Sequence, residues 1–443
     1  MKISRRQASI AFVVLILLIS LSFLRATLIF LYPVLACCLA YLFRQKLDRE
    51  SALFLVGFLI LAFLSSWISG GYFFNLAVSL YLILPVWIFL RARVTPSPGF
   101  AGQPLFDQCM NYFALILAVV NVSALIYSQF IVNTGISNYE DAFTGLYGHG
   151  GFGSHTLSLV NLGISVYFLD RKAYLKFAFF LLSGIMGFYG LGLLIFLASL
   201  GILYFSQILK YWKVLLVLLI CGFIGFGFIS LFNARNLDYI EKNIAQSLLI
   251  FESYDYQEEM QKSAEMKITE IPRFLTFLDG ASQRVTASPK NALLGVAPGG
   301  YNSRTAFYLN GDFVQNEFLL QNFQIQTPAH TEDIFPLLNR ELIQRPFNDG
   351  TRNQTFSSFV SVLLEYGLLA GGGFLLLFFL GIRRVARMYQ GSGPANYIRF
   401  LGIYLFVLFL AQNYLEYPEV VFLFLLVVKL AEVDAANNNI PEE

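Results

Sequence analysis

Apolar runs of 16–25 residues fill almost all of the chain before residue 233 and after residue 355. A bilayer core about 30 Å thick needs about 20 apolar residues per helix. The runs therefore predict twelve spans, at about 8–24, 26–43, 51–69, 73–90, 110–132, 154–169, 173–188, 190–209, 213–232, 356–381, 399–416 and 419–433. The stretch from Tyr174 to Leu209 must fold as two short spans around Gly187–Gly192. Between the two apolar blocks lies a mostly polar segment, 233–355, too long and too polar to cross a bilayer. In it, Asn236–Lys267 predicts helix, Pro272, Pro289 and Pro298 interrupt, and Gly295, Gly299 and Gly300 supply turns. The pattern divides the chain into spans one to nine (1–232), a loop domain (233–355), spans ten to twelve (356–433) and a short frayed tail (434–443). The expected fold class is all-α: a polytopic membrane protein of about twelve transmembrane helices with one large external loop domain.

Composition agrees, with 57% hydrophobic and 13% charged residues, where a soluble domain carries about one quarter charged. The net charge of +2 says little, whereas its placement says much. Every second connection is basic: Arg5 and Arg6, Arg44 and Lys46, Arg91 and Arg93, Arg171 and Lys172, Lys210 and Lys213, Arg383 to Arg387. The short connections on the other face hold only Arg25. The excess of Lys and Arg on cytoplasmic loops places both termini in the cytoplasm and the 233–355 segment outside. The opening MKISRRQ and its apolar run have no small-residue cleavage site and read as a retained first helix. Cys37, Cys38, Cys109 and Cys221 lie in or beside spans, so no disulfide holds the polar segment and no zinc spacing appears.

Three stretches carry candidate chemistry. GASQRVTASPKNALLGVAPGGYNSR (280–304) sets Arg284 and Arg304 around a turn containing Gly299 and Gly300. Backbone N–H groups of such a turn and guanidinium forks both suit phosphate oxygens, and Arg340, Arg345 and Arg352 follow. The competing reading is ordinary surface charge, since 233–355 holds eleven Lys and Arg against fifteen acids. FSSFVSVLLEYGLLAGGGF (356–374) returns the chain to the membrane with Glu365 some turns in. A carboxylate there is costly unless paired or hydrated, so it reads as functional or as an interfacial ion pair. His149 and His155 lie where an outer loop enters a span, and His330 sits beside Glu332 and Asp333. An acid/base role competes with a hydrogen-bonded structural histidine.

Together these pieces resemble the O-antigen polymerase and ligase superfamily, which includes Wzy-type and exopolysaccharide polymerases. The likeness rests on Ser282-Gln283-Arg284 followed by Leu294-Gly295 through Gly300-Tyr301, on Glu365-Tyr366-Gly367, and on Thr144-Gly145-Leu146-Tyr147-Gly148-His149-Gly150. Two departures stand out: Phe356-Ser357 occupies the place of a His-Asn pair, and Phe188-Tyr189 that of a Ser-Arg pair.

The resemblance implies a GT-C-like glycosyltransferase of the bacterial inner membrane that polymerises undecaprenyl-diphosphate-linked oligosaccharide repeat units on the outer face. The sugar–diphosphate bond already carries the activation energy, so neither cofactor nor metal is expected. The implied diphosphate contacts are Arg284, Arg304, Arg345 and Arg352 with Gly299 and Gly300. Glu365, His330 or His149 would act on the acceptor, and Tyr301 and Tyr308 would stack on sugars. Implied partners are the lipid-linked oligosaccharide, the bilayer, a chain-length regulator and a flippase, with no nucleic acid. The alternatives are an O-antigen ligase acting on lipid A-core and a transporter of lipid-linked sugars.

Overall fold

The computed structural model describes residues 4–97, 100, 104–131, 142–148, 153–187, 189–205, 216, 220, 222–225, 227, 254–265, 267, 269, 271–309, 327–337, 356–389 and 394–438. The ninth predicted span and most of the Asn236–Lys267 helix lie largely outside these residues. The apolar runs are helical: α1 Arg5–Ser20, α2 Leu28–Leu42, α3 Arg49–Ile68, α4 Phe73–Arg91, α5 Leu105–Ile126, α6 Gly153–Asp170, α7 Tyr174–Met186 and α8 Gly190–Leu203. The polar segment contributes α9 Tyr256–Ala264, α10 Arg273–Thr286, α11 Pro289–Leu294, α12 Arg304–Leu309 and α13 Pro328–Asp333. The chain returns through α14 Ser358–Gly367, α15 Gly373–Met388, α16 Pro394–Ala411 and α17 Pro418–Asn438.

Local chemistry sets the ends. Ser4 and Gln7 form a reciprocal capping box on α1, and Asp48 accepts the Ser51 N–H at 2.8 Å to start α3. Five helical stretches are long and apolar enough to cross a membrane: Phe23–Leu42, Arg49–Ile68, Phe73–Arg91, Leu105–Ile131 and Ser358–Met388. Large apolar side chains such as Leu175, Phe130 and Phe30 lie exposed on the outside of the bundle, as a lipid solvent allows. The protein is an all-α membrane protein with, among the described residues, one two-residue β ladder, β1 Gln45–Lys46 against β2 Arg93–Val94.

α17 is the central post. Val420 through Val428 are at most 1% exposed, because α1, α2, α4, α5, α6, α15 and α16 all contact it. A helix apolar on every side is stable only when surrounded. The sequence predicts this span to end near 433 and a frayed tail to follow, but the helix runs on to Asn438. Asp434 accepts the N–H groups of Leu105 and Phe106, at 2.8 and 2.9 Å, and Asn437 accepts that of Ser97. The Asp434 bonds satisfy orphan donors at the start of α5, and all three hold residues that composition alone assigns to a loose end.

The predicted single helix 356–381 is broken. A π-turn over Leu368–Gly372 separates α14 from α15, and Gly367 has φ +73°. The described part of the 233–355 segment packs on α14: a small core of Phe277, Tyr301, Ile334 and Leu337 closes on Leu364.

Candidate functional site

The turn after α11 and the break after α14 interlock. Gly295 has φ +86°, and a Cβ there would sit 2.5 Å from the Glu365 carbonyl oxygen; one on Gly367 would sit 2.2 Å from that of Leu293. The Val296 N–H donates to the Leu364 carbonyl at 2.8 Å. Two backbones can touch this closely only where both lack side chains, which explains the glycines of the two separated sequence motifs.

The Glu365 carboxylate then plugs the turn. Oε2 accepts the Gly299 N–H at 2.7 Å, and Oε1 accepts those of Tyr301 and Ser303 at 2.9 and 3.0 Å. Successive N–H groups of this kind form an anion-binding concavity. Here the anion is the protein's own carboxylate, 1% exposed. The sequence reading gave the Gly299–Gly300 turn to phosphate, but the Gly299 N–H is engaged internally.

Polar groups from the bundle brace this node. Asn75 of α4 donates to the Gly299 carbonyl at 3.0 Å. Asn302 donates to the Phe356 carbonyl and the Ser361 hydroxyl, and Asn413 donates to the Asn302 carbonyl. His330 Nδ1 lies 2.7 Å from the Tyr301 carbonyl; a carbonyl only accepts, so this nitrogen carries the proton. His330 is 1% exposed and holds α13 against the turn. Tyr301 is fully buried in the same core, so the ring proposed to stack on sugar is here a packing group.

Arg304 stands where the turn meets α17. Its backbone N–H donates to the Glu416 carboxylate, its guanidinium donates to the Glu416 carbonyl at 3.1 Å and reaches Glu419 at 3.5 Å, and it lies 3.9 Å over the Tyr417 ring. Stacking on an aromatic face keeps a buried guanidinium charged. The Glu419 contact is long for an ion pair.

Arg284 is placed elsewhere, on α10. It is held by both oxygens of Asp333 at 2.8 Å and by Glu332 at 2.7 Å. The hydrogen bond to Asp333 raises its pKa beyond the ordinary arginine value. The three bonds to Asp333 and Glu332 occupy Nε and Nη2 of Arg284, so neither nitrogen is open to a phosphate in this arrangement.

The described part of the upstream motif, Thr144–Gly148, is anchored by Arg25, whose guanidinium donates to the carbonyls of Tyr147 and Gly148 and lies 4.4 Å over the Tyr147 ring. His155 stacks on Tyr189 at 4.4 Å. His149, Arg340, Arg345 and Arg352 lie outside the described residues, as does the side chain of Tyr308.

The structure thus brings Glu365, His330, Gly299, Gly300, Tyr301 and Arg304 to one place. Sequence reasoning passed over Asn75, Asn302, Asn413, Glu416 and Tyr417 in this role. Asn75 was discoverable as a lone amide inside an apolar span, since such groups need a built partner. Asn413, inside the predicted span 399–416, carried the same signal, whereas Asn302, in the polar segment, did not. The chain matches no family model and no curated protein.

Proposed function

We propose that this chain is a glycosyltransferase that polymerises undecaprenyl-diphosphate-linked oligosaccharide repeat units at the outer face of a bacterial cytoplasmic membrane. One observation carries the reading: the turn of 295–303, the Glu-x-Gly of α14 and Arg304 converge at the end of the bundle where α17 begins. The basic groups Arg91, Arg384 and Lys429 gather instead around the other end of α17, which supports a loop domain facing away from the cytoplasm.

In this reading Arg304 meets the lipid diphosphate by exchanging its long Glu419 contact for phosphate oxygens. A guanidinium already desolvated and stacked needs little reorganisation to stabilise a departing anion. Glu365 and His330 act as positioning residues that fix the turn. Removing the diphosphate contact slows turnover by about 10²–10³-fold, as loss of one oxyanion-type donor does.

The test is Arg304→Ala and Arg304→Lys in a strain lacking the native gene, with surface glycan length as readout. Retained single repeat units without the long-chain ladder support the proposal. Full-length chains from both variants at normal expression would overturn it.

A transporter of lipid-linked sugars is the second reading, favoured by the break at Gly367–Gly372, since transporters use interrupted helices at their sites. Purified protein in detergent separates the two: a polymerase links the repeat units, and a transporter leaves them unlinked.

A further inference from the structure

A cleft of about 950 Å³ opens in the loop domain between α9, α10 and α13. That volume lies within the range of sites for small molecules and short oligomers. Its walls are polar and mostly acceptors. Asp255 and Glu258 face it from α9 and its cap, Glu332 and Asp333 from α13, against the single guanidinium of Arg284. Arg284 is itself spanned by the two α13 carboxylates.

The amides add to this character. Gln261 Nε2 donates to Glu265 at 3.0 Å and Gln283 Nε2 to Asp279 at 3.3 Å. A carboxylate partner fixes which end of the amide is NH₂, so each glutamine keeps its carbonyl oxygen for other partners. Tyr256 also lines the cleft, with its hydroxyl so close to Gly280 that a Cβ there would lie 2.5 Å away. Burial first, and then Asp333, push this hydroxyl up to about 12, so it stays a donor at physiological pH. Among the described residues no group of three His, Cys, Asp or Glu side chains could hold a metal ion. An acceptor-rich hollow of this kind calls for a ligand that brings many donors and no negative charge.

We propose that the cleft binds a non-acidic oligosaccharide, neutral or amino-bearing, as the glycan portion of the lipid-linked substrate; this assignment of substrate class rests on the polymerase reading. Sugar hydroxyls donate to the glutamine carbonyls and carboxylates, Gln257 supplies both a donor and an acceptor, and an amino sugar gains from the net negative rim. Uronic acids and phosphorylated sugars are rejected by like charge. The diphosphate end of the substrate is thereby kept from the cleft and left to Arg304.

The experiment uses the purified full-length protein in detergent and three fluorescently labelled short oligomers, of glucose, of glucosamine and of galacturonic acid, at one ionic strength. The expected order is glucosamine tightest, glucose weaker, galacturonic acid undetected. Gln257→Ala, at an exposed position, weakens the neutral glucose oligomer about five- to tenfold, the effect of one lost hydrogen bond. Glu258→Lys with Gln283→Lys weakens the glucosamine oligomer and brings galacturonic acid into the measurable range. Equal binding of acidic and neutral oligomers, no binding of any, or binding untouched by these substitutions each overturn the proposal. The readout needs no turnover. If the oligomers bind as expected while Arg304→Ala leaves surface glycan unchanged, the polymerase reading alone fails; if Arg304→Ala abolishes the ladder and no oligomer binds, the cleft alone fails.

Discussion

Replacing Glu365 with alanine strips the acceptor from three buried backbone N–H groups, those of Gly299, Tyr301 and Ser303. Hydrogen bonds to a charged group contribute about 1.5–3 kcal/mol each. The variant also loses the cost of burying a carboxylate, so the net penalty falls to on the order of 4 kcal/mol. That corresponds to roughly a 10³-fold loss of protection for the amides of the turn. Glu365→Gln is graded. Its carbonyl oxygen can still accept from Tyr301 and Ser303, while its NH₂ opposes the Gly299 N–H, so about 1–2 kcal/mol is lost. Hydrogen exchange read by mass spectrometry on fragments covering 297–305 measures both. The expected order is wild type, then Gln, then Ala. Unchanged exchange in Glu365→Ala would refute the clamp. A glutamine variant that keeps full protection yet loses all glycan polymerisation would return Glu365 to a direct part in the chemistry.

Further outcomes follow from the same geometry. Gly295→Ala and Gly367→Ala each force a Cβ against backbone at positive φ and should destabilise by about 2–5 kcal/mol. Gly57→Ala, with nothing within 4 Å of the new Cβ, should be neutral in the same thermal-unfolding assay, and equal effects at all three positions would refute the interlock. A double-mutant cycle on Arg284 and Asp333, whose bridge is partly exposed, should give a coupling of about 1 kcal/mol that shrinks with salt; a null coupling at low salt counts against the pair. Burial and the bond to Asp279 push the Tyr254 hydroxyl up to about 12. Because its folded pKa is raised, its contribution to loop stability is intact below the ordinary tyrosine value and is lost as pH rises through about 12. Tyr254→Phe should remove that alkaline slope in limited proteolysis of the loop, and the difference in tyrosinate absorbance should show the late titration; an unaltered slope would sink the assignment.

The apolar runs were enough to predict helices, because in hydrocarbon only a helix or a closed barrel satisfies every backbone N–H and C=O, and barrel strands are short and alternating rather than continuously apolar. The same property hid the architecture. Spans that are apolar on every side give no stripe to separate a lipid-facing helix such as α3 from the buried post α17. The α17 boundary was misread for a related reason: Asp434 and Asn437 look like the start of a polar tail until the donors of Leu105, Phe106 and Ser97 appear opposite them.

Residue by residue, the sequence by itself determined which positions were chemically unusual: Gly295 to Gly300, Arg304, Glu365 and Gly367. Only the tertiary structure decided that Glu365 satisfies the turn, that Arg284 is neutralised by Asp333 and Glu332, and that Arg304 sits in a loose pair above Tyr417. A residue's type fixes what it can donate or accept, but its partner is set by chain segments some fifty to more than a hundred positions away. No local pattern encodes that distance; it is closed by folding the bundle.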